Sequence, residues 1–231
     1  MSSAGFDFDA EYGANYDRII RQVVPAYDHL FPMVLALLRD RVRRDARVLV
    51  TGVGSGSELV TFASAEPGWL LTGVDPSAQM LAITRAKLAQ RGVASRVTLH
   101  QGVTQELPPA APFDAATLIC VLHFHPDDGA KLELLRAIAE RLRPGAPLAL
   151  IDGRGEPGTP EFEAMFAAWM RFIELMGMDD EGRATYRAQL EASVRWIPER
   201  RLRELLAEAG FGEVARFYEA LAFGGWLAVR A

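Results

Sequence analysis

Short aliphatic runs alternate with amphipathic stretches through the first two thirds of the chain. Arg47 to Val50, Trp69 to Val74, Arg96 to His100, Ala115 to Leu122 and Leu148 to Ile151 are strand-length and almost wholly apolar, the pattern of strands buried on both faces. Between them, Ser57 to Ala65, the stretch DPSAQMLAITRAKLAQRG with its stripe of Met80, Leu81, Ile83 and Leu88, and Lys131 to Leu142 read as helices. Ahead of the first strand, after a polar N-terminus, Val23 to Leu38 shows apolar clusters at helical spacing interrupted by Pro25 and Pro32, which predicts a lead-in and then a helix. Strands and helices in strict alternation predict a doubly wound α/β domain with a mostly parallel sheet.

Past Ile151 the alternation stops. Glu161 to Leu190 reads as two helices parted near Gly177 to Gly182, with a broad apolar face of Met165, Phe166, Trp169, Met170, Phe172 and Met176. Pro198 to Ala209 reads as a helix, and Gly212 to Tyr218 and Leu221 to Val229 as a closing strand pair, which brings the sheet to seven strands. The expected organisation is one domain: residues 1–45 lead-in and helix, 46–152 ligand-binding half, 153–195 helical insertion, 196–231 terminal helix and strand pair. The apolar face of the insertion is expected to pack on the sheet domain or to join two copies into a homodimer.

Composition narrows the partners. The net charge is −5, and the arginine clusters at 39–47 and 200–203 are interleaved with acids, which reads as solvated helix faces and argues against a nucleic-acid binder. The single cysteine, Cys120, excludes an intramolecular disulfide and fits a reducing compartment. No stretch reaches the roughly 18 apolar residues of a membrane span, so a cytoplasmic protein off the membrane is expected. No His, Cys and Asp spacing suggests a metal site.

The candidate chemistry begins with VLVTGVGSGSELV, which sets Gly52, Gly54 and Gly56 directly after the first strand. Glycines on a strand-to-helix turn let the backbone come close to a ligand. A triphosphate-binding loop would need Lys and then Ser or Thr after the last glycine, and here Ser57 and Glu58 follow. A dinucleotide fingerprint would need Gly or Ala where Ser57 stands, and Glu58 would repel a pyrophosphate, so a nicotinamide or flavin nucleotide is the weaker reading.

The turn, the acid Asp75 with Pro76 at the end of the second strand, and the stretches VTLHQGVTQELP, FDAATLICVLHFHPDD, LRAIAERLRPGAPLALID and LLAEAGFGEVARFYEALAFGGWLAVRA resemble, in this order, the class I S-adenosylmethionine-dependent methyltransferases. The resemblance implies S-adenosylmethionine as cofactor and a small-molecule methyl acceptor. The cofactor would lie against Gly52, Val53, Gly54 and Gly56, its ribose on Asp75 beside Pro76, and its adenine near Met80 and the main chain of Val103 and Thr104. A carboxylate at a strand end accepts two hydroxyl hydrogen bonds, which suits the ribose. Two acids common in that family are absent, since Val50 and Val103 occupy their places.

RQVVPAYDHL, YRAQLEAS and FYEALAFGGWLAVRA look like the carboxy-S-adenosylmethionine synthases of tRNA wobble-uridine modification. That resemblance implies that Tyr27 contacts the cofactor, that Arg187 contacts a carboxylated cofactor or acidic substrate, and that Ile119 stands where those enzymes have Asn. Read from the residues alone, Arg187 is as well placed for an ion pair with Glu191, four positions on. If the acceptor must lose a proton, His123 and His125 are the candidate bases, which strand alternation would set on one side flanking Phe124. Methyl transfer is the leading expectation; a carboxylated cofactor and a catalytically silent S-adenosyl-binding fold remain open.

Overall fold

A computed structural model describes residues 5–231; residues 1–4 of the expected lead-in lie outside the described residues. Two helices, α1 (Glu11–Val23) and α2 (Tyr27–Arg39), precede the strands β1 (Arg47–Thr51), β2 (Leu70–Asp75), β3 (Val97–Gln101), β4 (Ala115–Ile119) and β5 (Pro147–Gly153). The connections carry α3 (Ser57–Ala65), α4 (Ala78–Gln90) and α5 (Ala130–Arg141). An excursion of α6 (Pro160–Leu175) and α7 (Asp180–Ser193) follows, then α8 (Glu199–Glu208), β6 (Phe211–Ala220) and β7 (Phe223–Arg230).

The seven strands form one sheet in the order β3-β2-β1-β4-β5-β7-β6. β3 to β5 run parallel, and β7 runs antiparallel to β5 and β6. This is the doubly wound, seven-stranded sheet expected from the alternation. Successive residues explain why the strands lack a polar face: Val48, Val50, Ala149 and Ile151 enter the core on one side of the sheet, and Leu49, Ala116, Leu148 and Leu150 the core on the other.

Two expectations are corrected. The polar N-terminus contains α1, whose Tyr12, Tyr16, Ile20 and Val23 recur at helical spacing among charged residues. The fourth strand ends at Ile119 rather than Leu122, because Cys120 adopts a left-handed backbone (φ 56°) that no strand can carry through. The chain then makes a short 3₁₀ turn at Leu122–Phe124.

The excursion packs inward. Trp169 is buried and its indole N–H donates to the Val23 carbonyl at 2.6 Å, tying α6 to the end of α1. Ile173 is buried beside it, while Met165, Leu175 and Met176 stay exposed. Among the described residues no helix is long and apolar enough to cross a membrane.

One buried charge stands out in this frame. Glu58, in the first turn of α3, is 5% exposed and its Oε1 has no hydrogen-bond partner. Burial drives its pKa up to about 7 from 4.5, with the Thr117 hydroxyl offsetting the shift only in part. The sign for stability follows: between pH 4.5 and about 7 the folded protein holds a proton that the unfolded chain has released, so stability falls as pH rises. The unfolding free energy of wild type relative to Glu58→Gln should therefore drop by about 3 kcal/mol from pH 4.5 to 7.5 in urea titrations. A difference independent of pH would mean that Glu58 is ionised throughout.

Candidate active site

The parallel strands all end at one edge, and there two carboxylates gather the backbone. Asp75, the last residue of β2, accepts the Gly54 N–H on Oδ2 at 2.8 Å and the Ser77 N–H on Oδ1 at 2.9 Å. Each oxygen keeps a lone pair for a further donor. Burial pushes the Asp75 pKa up, the two backbone bonds pull it down, and the Asp9 charge adds to the rise. Asp9 in turn accepts the Ser77 hydroxyl at 2.8 Å and the Gln79 N–H at 3.0 Å, latching the N-terminal segment to the start of α4.

The second carboxylate, Asp152 on β5, is 3% exposed and accepts the Gly153 N–H at 2.7 Å and the His123 N–H at 3.3 Å. Its Oδ1 also meets Nδ1 of the His123 ring. A carboxylate at Nδ1 keeps the ring proton there and leaves Nε2 as the acceptor. Asp152 was not among the residues expected from the sequence, although an acid at the end of a central strand was the available signal.

Asp75, and the His123 that Asp152 holds, border one cavity of about 300 Å³. Asp75 itself, Gly52, Gly54, Pro76, Met80, Val103, Thr104 and Ile119 line it, as do His123 and His125. The opposite wall is aromatic: Phe6, Phe8, Tyr12 and Tyr16 from the N-terminal segment, Phe124, and Trp169, Tyr186 and Trp196 from the excursion and its exit. Phe6 sits 4.8 Å from Tyr12, 5.5 Å from Tyr186 and 5.8 Å from Phe124 between ring centroids, which makes one continuous surface. No lysine or arginine lines the cavity among the described residues. The tyrosines went unforeseen because α1 did, and their spacing was the missed signal.

The three turn glycines have separate reasons. All take positive φ, yet a Cβ on Gly52 would lie 2.2 Å from Val121 and one on Gly56 2.6 Å from Thr84, so both are demanded by packing. At Gly54 the nearest atom would be Tyr16, 3.7 Å away, so there the turn simply faces the cavity. Val53 is buried in the core, and with Gly56 it shapes the turn without reaching the cavity.

Three expectations need restating. Tyr27 is buried at the start of α2, edge-on to Phe31 at 5.1 Å and outside the cavity lining, and its neighbour Tyr16 takes the cavity-facing position instead. Arg187 lies outside the cavity: its side chain is 60% exposed, its Nε is 3.1 Å from Glu191 Oε1, and its guanidinium stands 5.8 Å from the Phe166 ring. The i, i+4 spacing that offered the ion pair is what formed. His123 and His125 reach the cavity through the 3₁₀ turn rather than through strand alternation, and the His123 ring packs 4.2 Å from Phe124. Burial, and after it the charge of Lys131, lowers the His125 pKa. No group of three or more metal-ligating side chains occurs among the described residues.

The residues suit an S-adenosyl group without phosphate: an acid with spare lone pairs, a close-approach glycine turn and apolar walls, but no cation for a pyrophosphate. A family model described as a methyltransferase domain matches residues 49–148. The chain is 26% identical over 212 residues to demethylmenaquinone methyltransferase of Listeria monocytogenes, covering 85% of this chain and 87% of that one. It is also 26% identical over 231 residues to carboxy-S-adenosyl-L-methionine synthase of Chromohalobacter salexigens, covering 98% and 84%. A Nostoc punctiforme structure described as an O-methyltransferase superposes with a TM-score of 0.66 at 18% identity, over 89% of this chain and 57% of the other. Human N-acetylserotonin methyltransferase, solved in complex with S-adenosylmethionine, gives 0.59 at 16%, over 97% and 59%.

Two measurements probe the site. Asp75→Asn loses the charge and one of the two backbone acceptors, and should weaken S-adenosylmethionine binding about 10-fold or more in calorimetry while also lowering the melting temperature, because the amide NH₂ then faces the N–H of Gly54 or Ser77. Arg187→Ala should leave that affinity as it is and alter stability by less than about 0.5 kcal/mol, the scale of an exposed helix pair. An affinity loss in Arg187→Ala would bring the residue back to the site.

Proposed function

We propose, for a chain that is a class I S-adenosylmethionine-dependent methyltransferase by its methyltransferase domain, its sheet order and its glycine turn, that it methylates an ionisable hydroxyl of a small, flat, largely aromatic acceptor. The observation that carries the reading is His123, oriented by the buried Asp152 and opening onto the same cavity as Asp75 and Gly54. A nucleophile that must shed a proton needs a base whose other nitrogen is held by a third group.

Bound S-adenosylmethionine supplies a methyl group on a sulfonium, an electrophile that needs no metal. On this reading Asp75 takes the ribose hydroxyls, Pro76, Met80, Val103 and Thr104 border the adenine, and Gly52, Gly54 and Ile119 border the methionine end. His123 Nε2 receives the hydroxyl proton while Nδ1–H stays on Asp152. The aromatic wall excludes water and stacks a flat acceptor, so alignment of the reacting atoms accounts for most of the rate. The hydroxyls of the half-buried Tyr12 and the buried Tyr186 add polar points in that wall for an oxygen-bearing ring.

A carboxylated cofactor is the second reading, supported by the synthase relatives. It lacks a cation to meet the added carboxylate, since no Lys or Arg lines the cavity among the described residues. The cytoplasm is the setting that a lone, unpaired Cys120 fits best.

The test is methylation of a set of simple phenols and naphthalenediols, followed by S-adenosylhomocysteine release. His123→Ala should lower kcat by about 10²- to 10⁴-fold with little change in the KM for S-adenosylmethionine, and Asp152→Asn should lower it in the same direction. Full turnover by His123→Ala would remove the base from the mechanism. Failure of the wild type to bind S-adenosylmethionine at all would favour a silent fold.

A further inference from the structure

Behind the His123 turn lies a buried ammonium that the reaction above does not use. Lys131, in the first turn of α5, is 1% exposed, and its Nζ donates to the Leu122 carbonyl at 2.8 Å. Leu122 opens the 3₁₀ turn that carries His123, and Leu122, His123, Lys131, Asp152 and Arg154 border one small pocket. A lysine that served only to fill this volume would be a poor choice, because an apolar side chain fills it without the cost of desolvating a charge.

Two carboxylates act on Lys131 from beyond ion-pair distance. Asp152 and Asp127 favour its charged form, while burial above all, and then Arg195, oppose it. Asp127 already takes two hydrogen bonds from Arg201, at 2.9 and 3.1 Å. Asp152 is bound only to the His123 turn and ring and to its neighbour Gly153. Lys131 and Asp152 thus both hold the His123 turn, the ammonium at the Leu122 carbonyl and the carboxylate at the His123 N–H and ring.

We propose that Lys131 is a positioning residue for His123. Its grip on the Leu122 carbonyl holds the turn so that Nδ1 stays on Asp152 and Nε2 stays turned to the cavity. The inference rests on His123 as the base of the proposed function, but its first test does not require turnover.

The test follows the downfield Nδ1 proton of His123 by NMR in the unliganded full-length protein, beside kcat for whichever phenol or naphthalenediol is turned over. In wild type and in Lys131→Arg, which keeps charge and donor, the proton should be sharp and protected from exchange. In Lys131→Met it should broaden or vanish, with kcat down about 10-fold and KM for S-adenosylmethionine within about 2-fold, since losing the bond to the Leu122 carbonyl frees the turn and the His123 ring with it. Should Lys131→Met fail to fold, Lys131→Leu, which likewise removes the donor, is judged by the same signal. A sharp proton with unchanged kcat in the uncharged variant overturns the proposal. If His123→Ala keeps full kcat, the base assignment fails by itself, and the proton signal still decides whether Lys131 holds the turn.

Discussion

The site depends on the ends of the parallel strands, where backbone N–H groups run out of ladder partners and must find other acceptors. At two of these ends the acceptor is a carboxylate. Asp75 takes the N–H groups of Gly54 and Ser77, and Asp152 those of His123 and Gly153. Each acid thereby fixes a loop, the glycine turn in one case and the His123 turn in the other, and each retains an oxygen lone pair for function. Structural satisfaction and chemical readiness come from the same bonds.

What surrounds these carboxylates makes them effective. The N-terminal segment closes the cavity from one side, latched by Asp9 to the start of α4 and by the Phe6 N–H to the Ser193 hydroxyl at 3.1 Å. The excursion closes it from another side with Trp169 and Tyr186, and Trp169 is tied to α1 through the Val23 carbonyl. In such an aromatic enclosure water is scarce, electrostatic interactions strengthen, and a hydrogen-bonded histidine and acid count for more than they would at the surface. The buried Lys131 fits the same logic: its ammonium is met there by the Leu122 carbonyl of the His123 turn.

Much of the frame was legible from the chain. Five near-continuous apolar runs and the amphipathic stretches between them can be buried only as a parallel sheet covered on both faces, and the strand bounds differ from expectation by a residue or two apart from the early end of β4. The glycine turn followed by Asp75 was equally plain, because the backbone freedom it requires is written in residue type. Tyr12 and Tyr16 were hidden because α1 is polar overall and its aromatic stripe is short. Tyr27 and Arg187 were misplaced because resemblance assigns a residue type to a region, whereas packing decides which tyrosine turns inward and which arginine stays in solvent.

The sequence alone determined the sheet, the order of its helices and the presence of a close-approach turn with an acid beside it, since periodicity and glycine spacing are local properties. Only the tertiary structure decided that Asp152 meets His123 across 29 positions of chain, that Lys131 underlies their turn, and that aromatic residues from the N-terminal segment and the excursion share one wall. Those contacts join residues far apart in the chain, and no local pattern encodes which distant side chain will meet a given loop once the strands are aligned.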